Sequence, residues 1–253
     1  MAARDEIIAF CDEILAASTF DDYGPNGLQV PGAAEVSKVV SGVSAHLELL
    51  ERARDAGAEL VIAHHGLFWD SLPRALSEQM AARLRVALEA GISVAGYHLP
   101  LDAHPEIGNN ALLCRGLGFE PLNARFAEVR GRAIGVVGER RDGIAADDLV
   151  AAVARLLDRE PLVFDAGPRE VHSIGICSGA GASEVHAAIR MGLDAFLTGE
   201  PAEHAMADAG EGGLHFIAAG HWATETLGIR RLGELIAERF GVVHEFIAVP
   251  NPV

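Results

Sequence analysis

The chain has 253 residues, half of them hydrophobic, and a formal net charge of −16 at pH 7. That length and apolar content suffice for one large or two small cores, and with no basic stripe to neutralise phosphates the charge excludes a nucleic-acid partner. Small phosphorylated ligands stay open, because bound cations invert the local field.

The apolar residues are mostly Ala, Val, Leu and Ile, beside 28 Gly and 6% aromatics. This balance suits an α/β fold with many short strand-to-helix turns. Residues 4–17 carry Ile7, Ile8, Cys11, Ile14 and Leu15 at helical spacing. Asp22 to Val30 is dense in turn formers and reads as a loop, with Asn26-Gly27 as a turn. A strand at 36–43, a helix at 46–56 and the apolar run Leu60-Val61-Ile62-Ala63 lead into His64-His65-Gly66. A helix over 78–90 and a short strand ending in Gly96-Tyr97-His98 come next, then Pro100 and Asp102 and a helix over 107–117.

The second half begins near residue 126. Strands at 133–137, 161–164, 171–177, 195–197 and 214–218 alternate with helices at 145–157, 182–191 and 201–209. A helix over 222–239 and a strand over 242–249 close the chain. No Pro- or Ser-rich linker divides the halves, so the boundary between 1–125 and 126–253 is soft. Cys11, Cys114 and Cys177 are far apart and set among apolar residues, as expected of reduced core residues in a cytosolic protein. Neither a signal-type apolar run at the start nor a segment of membrane-spanning length occurs, so a cytoplasmic protein with no membrane contact is expected.

The halves echo each other. Ser41-Gly42 matches Ser178-Gly179, Gly57 matches Gly192, and His64-His65-Gly66 matches Thr198-Gly199-Glu200. One strand further on, Gly96-Tyr97-His98 with Asp102 parallels Gly220-His221 with Glu225. Such a repeat implies two pseudo-symmetric α/β halves whose strand ends carry the chemistry.

Four histidines (His64, His65, His98, His221) and two carboxylates (Asp102, Glu225) fall at predicted strand ends. Adjacent residues on a strand point to opposite faces, so His64 and His65 suit two ions better than one. His221 and Glu225, four apart at the start of a helix, share one face. His98 and Asp102 have the same spacing, but Pro100 between them favours a tight non-helical turn. Taken singly, each pattern is ordinarily a strand cap or an exposed helix pair. Together, imidazole and carboxylate suit Zn, Fe, Mn, Co or Ni, and six ligands exceed what one ion with an open position needs. A bridged pair about 3.5 Å apart is the economical arrangement. His104, Glu106, Glu203 and His204 read as neighbours or surface residues, Ser178 to Gly181 as a tight connection, and His172, His186, His215 and His244 as structural.

With these residues in order, and with Asn26-Gly27-Leu28-Gln29-Val30 before them, the chain resembles the NIF-three-like dinuclear metal-centre family, the GTP cyclohydrolase I type 2 homologues. The resemblance spans nearly the whole chain. It implies two interlocked α/β halves with mixed sheets, a toroidal homohexamer, and two divalent ions per subunit held by His64, His65, Asp102, His221 and Glu225, with Glu225 as bridge. His98 stands beside the site, and His98 and Glu200 are the candidates for proton transfer or orientation. The implied activity is metal-dependent hydrolysis through a metal-bridging hydroxide, on a purine nucleotide such as GTP. The alternative is a non-catalytic metal carrier or scaffold ring. Two departures bear on substrate shape: Gly66 follows His65 where the family usually has Pro, and Leu99-Pro100 follows His98 where a Thr is common.

Overall fold

The computed structural model describes residues Met1 to Val253 as two compact units. The first is Met1–Leu101 with Gly228–Val249, and the second is Asp102–Leu227 with Pro250–Val253. The division therefore falls at Asp102 and again inside the first turn of the helix Thr226–Phe240, not near 126. The reason is strand pairing. Val243–Phe246 runs parallel to Lys38–Ser44 and supplies the edge of the first unit's sheet.

The first unit is built on a five-stranded sheet in the order Val243–Phe246, Lys38–Ser44, Leu60–His65, Ser93–Gly96, Gly27–Val30. Its first four strands are parallel and the last is antiparallel. Leu60 to Ala63 are all fully buried, which explains why this strand reads as an uninterrupted apolar run. Val40, Val61 and Val94 pack with Leu49 and Leu50 of the helix Leu47–Asp55. That helix is capped by His46 Nδ1, which accepts from Leu49 N at 3.3 Å. Ser77 caps the helix Glu78–Glu89 in the same way.

The second unit has a six-stranded mixed sheet: Leu162–Phe164, His215–Ala218, Ala195–Thr198, Glu170–Cys177, Val136–Ala145, Glu120–Pro121. Of its four inner strands, Glu170–Cys177, Ala195–Thr198 and His215–Ala218 are parallel. Ile174, Ile176, Leu197 and Ile217 pack with Leu149 and Val153 of the helix Ala146–Leu157. The α/β class with mixed sheets is as expected.

Both units repeat strand, helix, strand, helix, strand with parallel neighbours, so the echo is one of architecture. One landmark does not carry over. Ser41 lies inside its ladder opposite Ile62, whereas Ser178 and Gly179 lie beyond the end of Glu170–Cys177.

Three local expectations change. Gly27–Val30 is a strand, paired with Ser93–Gly96, although it closes a stretch dense in turn formers. Leu99–Asp102 is one helical turn, because Pro100 sits in the first turn, where no backbone N–H is needed. The helix after His221 is interrupted: His221–Thr224 forms one turn, Glu225 departs to φ −110°, and Thr226–Phe240 follows. The three cysteines are free and buried as expected, and burial pushes the Cys114 thiol up to about 12. No helix is long and apolar enough to cross a membrane.

Candidate functional site

In the first unit, the parallel strands Leu60–His65 and Ser93–Gly96 end side by side, which brings His64, His65 and His98 together. Their ring centroids are 4.8 Å (His64–His65), 5.1 Å (His64–His98) and 5.6 Å (His65–His98) apart. One nitrogen from each lies within 4.8 Å of the others, a group able to hold a metal ion. The two adjacent histidines therefore do not diverge as strand alternation predicts. His65 is the last residue of its strand, where Gly66 turns the chain.

Each of these rings is tethered through Nδ1. His64 Nδ1 donates to the Tyr97 carbonyl at 2.9 Å. His65 Nδ1 lies 3.0 Å from Ser44 Oγ on the neighbouring strand. His98 Nδ1 lies 2.8 Å from Asp22 Oδ1. A ring held at Nδ1 presents Nε2 as its ligand atom, the arrangement by which outer partners orient metal-bound imidazoles.

Asp22 was hidden in the turn-rich stretch and is the residue that sequence reasoning missed most clearly. It is buried and also accepts from Tyr23 N, Asn26 Nδ2 and Leu99 N. Burial alone would raise its carboxyl, but the hydrogen bond and charge of His98, with Asn26 and Tyr23 N, outweigh it and hold the carboxyl below its usual range. Asn26 meanwhile accepts from His98 N at 3.0 Å. A cleft beside these rings is lined by Pro25, Asn26, Gln29, His64, Trp69 and His98. The Trp69 ring stands edge-on to His98, 5.1 Å away. Gly66 has no room for a side chain, since a Cβ there would collide with the Gln29 amide.

In the second unit, Asp102, Glu200, His221 and Glu225 fall at or beyond the carboxyl ends of the parallel strands or in the turns that follow. Buried Asp102 accepts from Asn109 Nδ2 at 2.8 Å and from Ser178 Oγ at 3.2 Å. Asn110 holds that loop by accepting from Ser178 N at 2.7 Å. His221 repeats the tether seen in the first unit: Nδ1 donates to Glu200 Oε1, and Nε2 lies 3.2 Å from Glu225 Oε1. Burial would lower the His221 pKa, but the hydrogen bonds and charges of Glu225 and then Glu200 prevail and raise it to about 9. Two carboxylates thus create a place that stabilises positive charge. Gly179 adopts φ +65°, and a Cβ there would collide with Glu225 Oε1 and stand 3.2 Å from His221 Nε2. The turn read as a mere connection therefore serves the candidate ligands: Ser178 holds Asp102, and Gly179 keeps a cradle open at Glu225.

The donors fit a divalent transition metal. They are imidazole and carboxylate, partly buried, oriented by a second layer, and left space by a glycine.

The Duf34/NIF3 (NGG1p interacting factor 3) family model matches residues 2–252. The chain belongs to this family. The resemblance read from the motifs is thereby borne out. A relative from Pseudomonas aeruginosa, named GTP cyclohydrolase 1 type 2 homolog, is 41% identical over 250 residues, covering 99% of this chain and 98% of its own. A protein of the same name from Escherichia coli K12 is also 41% identical over 250 residues, with 98% of each chain covered. Among solved structures, protein ybgI, described as of unknown function, matches with a TM-score of 0.93 at 40% identity over the whole of both chains. TTHA1606 from Thermus thermophilus matches with a TM-score of 0.88 at 32% identity, again over the whole of both chains.

Proposed function

We propose that this NIF3-family chain is a metal-dependent hydrolase taking two divalent ions, held by His64 and His65 in the first unit and by Asp102, His221 and Glu225 in the second. The supporting observation is the shared construction of four imidazoles, His64, His65, His98 and His221, each held at Nδ1 by a separate partner. A surface histidine has no need of such a tether, whereas a ligand must point its other nitrogen at a fixed place. Bound divalent ions supply Lewis-acid polarisation and lower the pKa of water toward neutrality.

The protein's own groups do the rest. His98, backed by the Asp22 carboxylate, holds or moves a proton at Nε2. Glu200 acts through His221 and is a positioning residue. Trp69, edge-on to His98, borders the cleft in which a planar substrate would lie. The substrate class is a purine nucleotide such as GTP, by analogy with the name carried by the relatives. The working form is a cytoplasmic homohexamer. The three free buried thiols suit a reducing compartment.

The test is to reconstitute metal-free protein with Fe, Mn, Zn or Co in turn and to assay GTP, phosphoesters and cyclic amides. Metal-dependent turnover that falls in His98→Ala is expected. Fully loaded protein with no turnover under any metal would refute the hydrolase and leave the carrier or scaffold reading. Light scattering should return six times the 26.6 kDa chain mass.

A further inference from the structure

Apart from the residues above, the second unit brings together another group of metal-type donors. His204 and Asp208 sit four apart on the helix Glu203–Gly212, on one face. His186 projects from the helix Val185–Arg190, which packs against it. His186 Nε2 lies 3.5 Å from Asp208 Oδ2, and the two imidazoles are stacked with centroids 5.9 Å apart and planes 14° from parallel. One ligand atom from each of the three lies within 4.8 Å of the other two. His186 and His204 are exposed and Asp208 is half-buried. Read from sequence, His186 is structural and His204 a neighbour of the main site or a surface residue. His204 is at the surface, as its alternative reading has it, and His186 is exposed and not structural.

We propose that His186, His204 and Asp208 form an additional, exposed binding site for a zinc-class divalent ion. Bonds of about 2.0–2.2 Å from imidazole and carboxylate place tetrahedral ligands about 3.4 Å apart. The His186–Asp208 separation already matches this spacing. Exposed side chains can rotate to bring His204 in. Two imidazoles with one carboxylate favour zinc, nickel or copper over the hard cations calcium and magnesium, which take oxygen ligands. Three protein ligands leave a fourth position for water, and an exposed site fills from solution. The ion would clip together the helices that follow the Ser178–Gly181 turn and the Thr198–Glu200 strand end. It would thereby brace the segment that carries Glu200.

Equilibrium dialysis of metal-free protein against zinc chloride, followed by elemental analysis, tests this directly. Wild type should retain one zinc per chain more than His186→Ala and His204→Gln dialysed beside it. The same one-ion difference should persist when these substitutions are made in a His64→Ala, Glu225→Ala background, so the result is independent of the proposed hydrolase ligands. Because both histidines are exposed, the unfolding midpoints of the variants in chelator should equal that of wild type. Equal zinc content in wild type and both variants would overturn the site.

Discussion

Asp22 shows how much of the candidate site rests on a residue that touches no ligand atom itself. Its carboxylate gathers His98 Nδ1, Tyr23 N, Asn26 Nδ2 and Leu99 N. Replacing it with alanine leaves buried donors without an acceptor, at a cost of about 2–3 kcal/mol. Because its folded pKa lies below the ordinary 3.8, its contribution is present above that value and disappears as pH falls through the lowered one. Urea unfolding of wild type and Asp22→Ala across the acid range should therefore show a gap that is widest above pH 3.8 and closes in stronger acid. A gap independent of pH would contradict the role given to this carboxylate. The sequence showed His98 plainly but not Asp22, 76 positions away, because one Asp in a turn-rich loop looks like any other turn residue.

Among the elements, those legible in the sequence contain stretches that are buried on both faces. Leu60–His65, Glu170–Cys177 and Ala195–Thr198 announce themselves as apolar runs with polar ends, and those ends carry His65, Ser178 and Glu200. What stayed hidden depends on partners distant in the chain. Gly27–Val30 becomes a strand only because Ser93–Gly96 offers it an antiparallel edge, and Leu99–Asp102 becomes helical despite Pro100 because that residue stands in the first turn. Gly179 separates conformational from chemical demand. Gly179→Ala and Gly192→Ala both impose a left-handed conformation on alanine, φ +65° and +67°, costing about 1–2 kcal/mol. Only at Gly179 does the new methyl meet Glu225 and His221, while at Gly192 nothing lies within 4 Å. Both variants should lose stability in thermal unfolding, and only Gly179→Ala should lose bound metal. Equal metal content in the two would contradict the cradle at Glu225.

For the molecule as a whole, the chain does not divide into two consecutive halves. It leaves the first unit at Leu101 and returns at Gly228. Val243–Phe246 then pairs with Lys38–Ser44, fastened by a Lys38–Glu245 ion pair at 2.7 Å and by Ser41 Oγ against His244 Nε2 at 2.8 Å. This explains why the sequence placed a boundary near 126 and did not reveal the division at Asp102 and Gly228: parallel pairing between segments so far apart in the chain leaves no local mark. A chain ended at Phe240 should expose the Lys38–Ser44 edge and aggregate on expression. A soluble product with an unchanged melting temperature would argue against that pairing. The −16 charge and the family membership bear on partners, while the ligand set bears on chemistry.

The central claim is the ligand set, and elemental analysis of native protein beside Glu225→Ala tests it most directly. Wild type is predicted to carry two divalent ions per chain beyond any held by His186, His204 and Asp208, and Glu225→Ala markedly fewer. Metal content unchanged by that substitution would contradict the account.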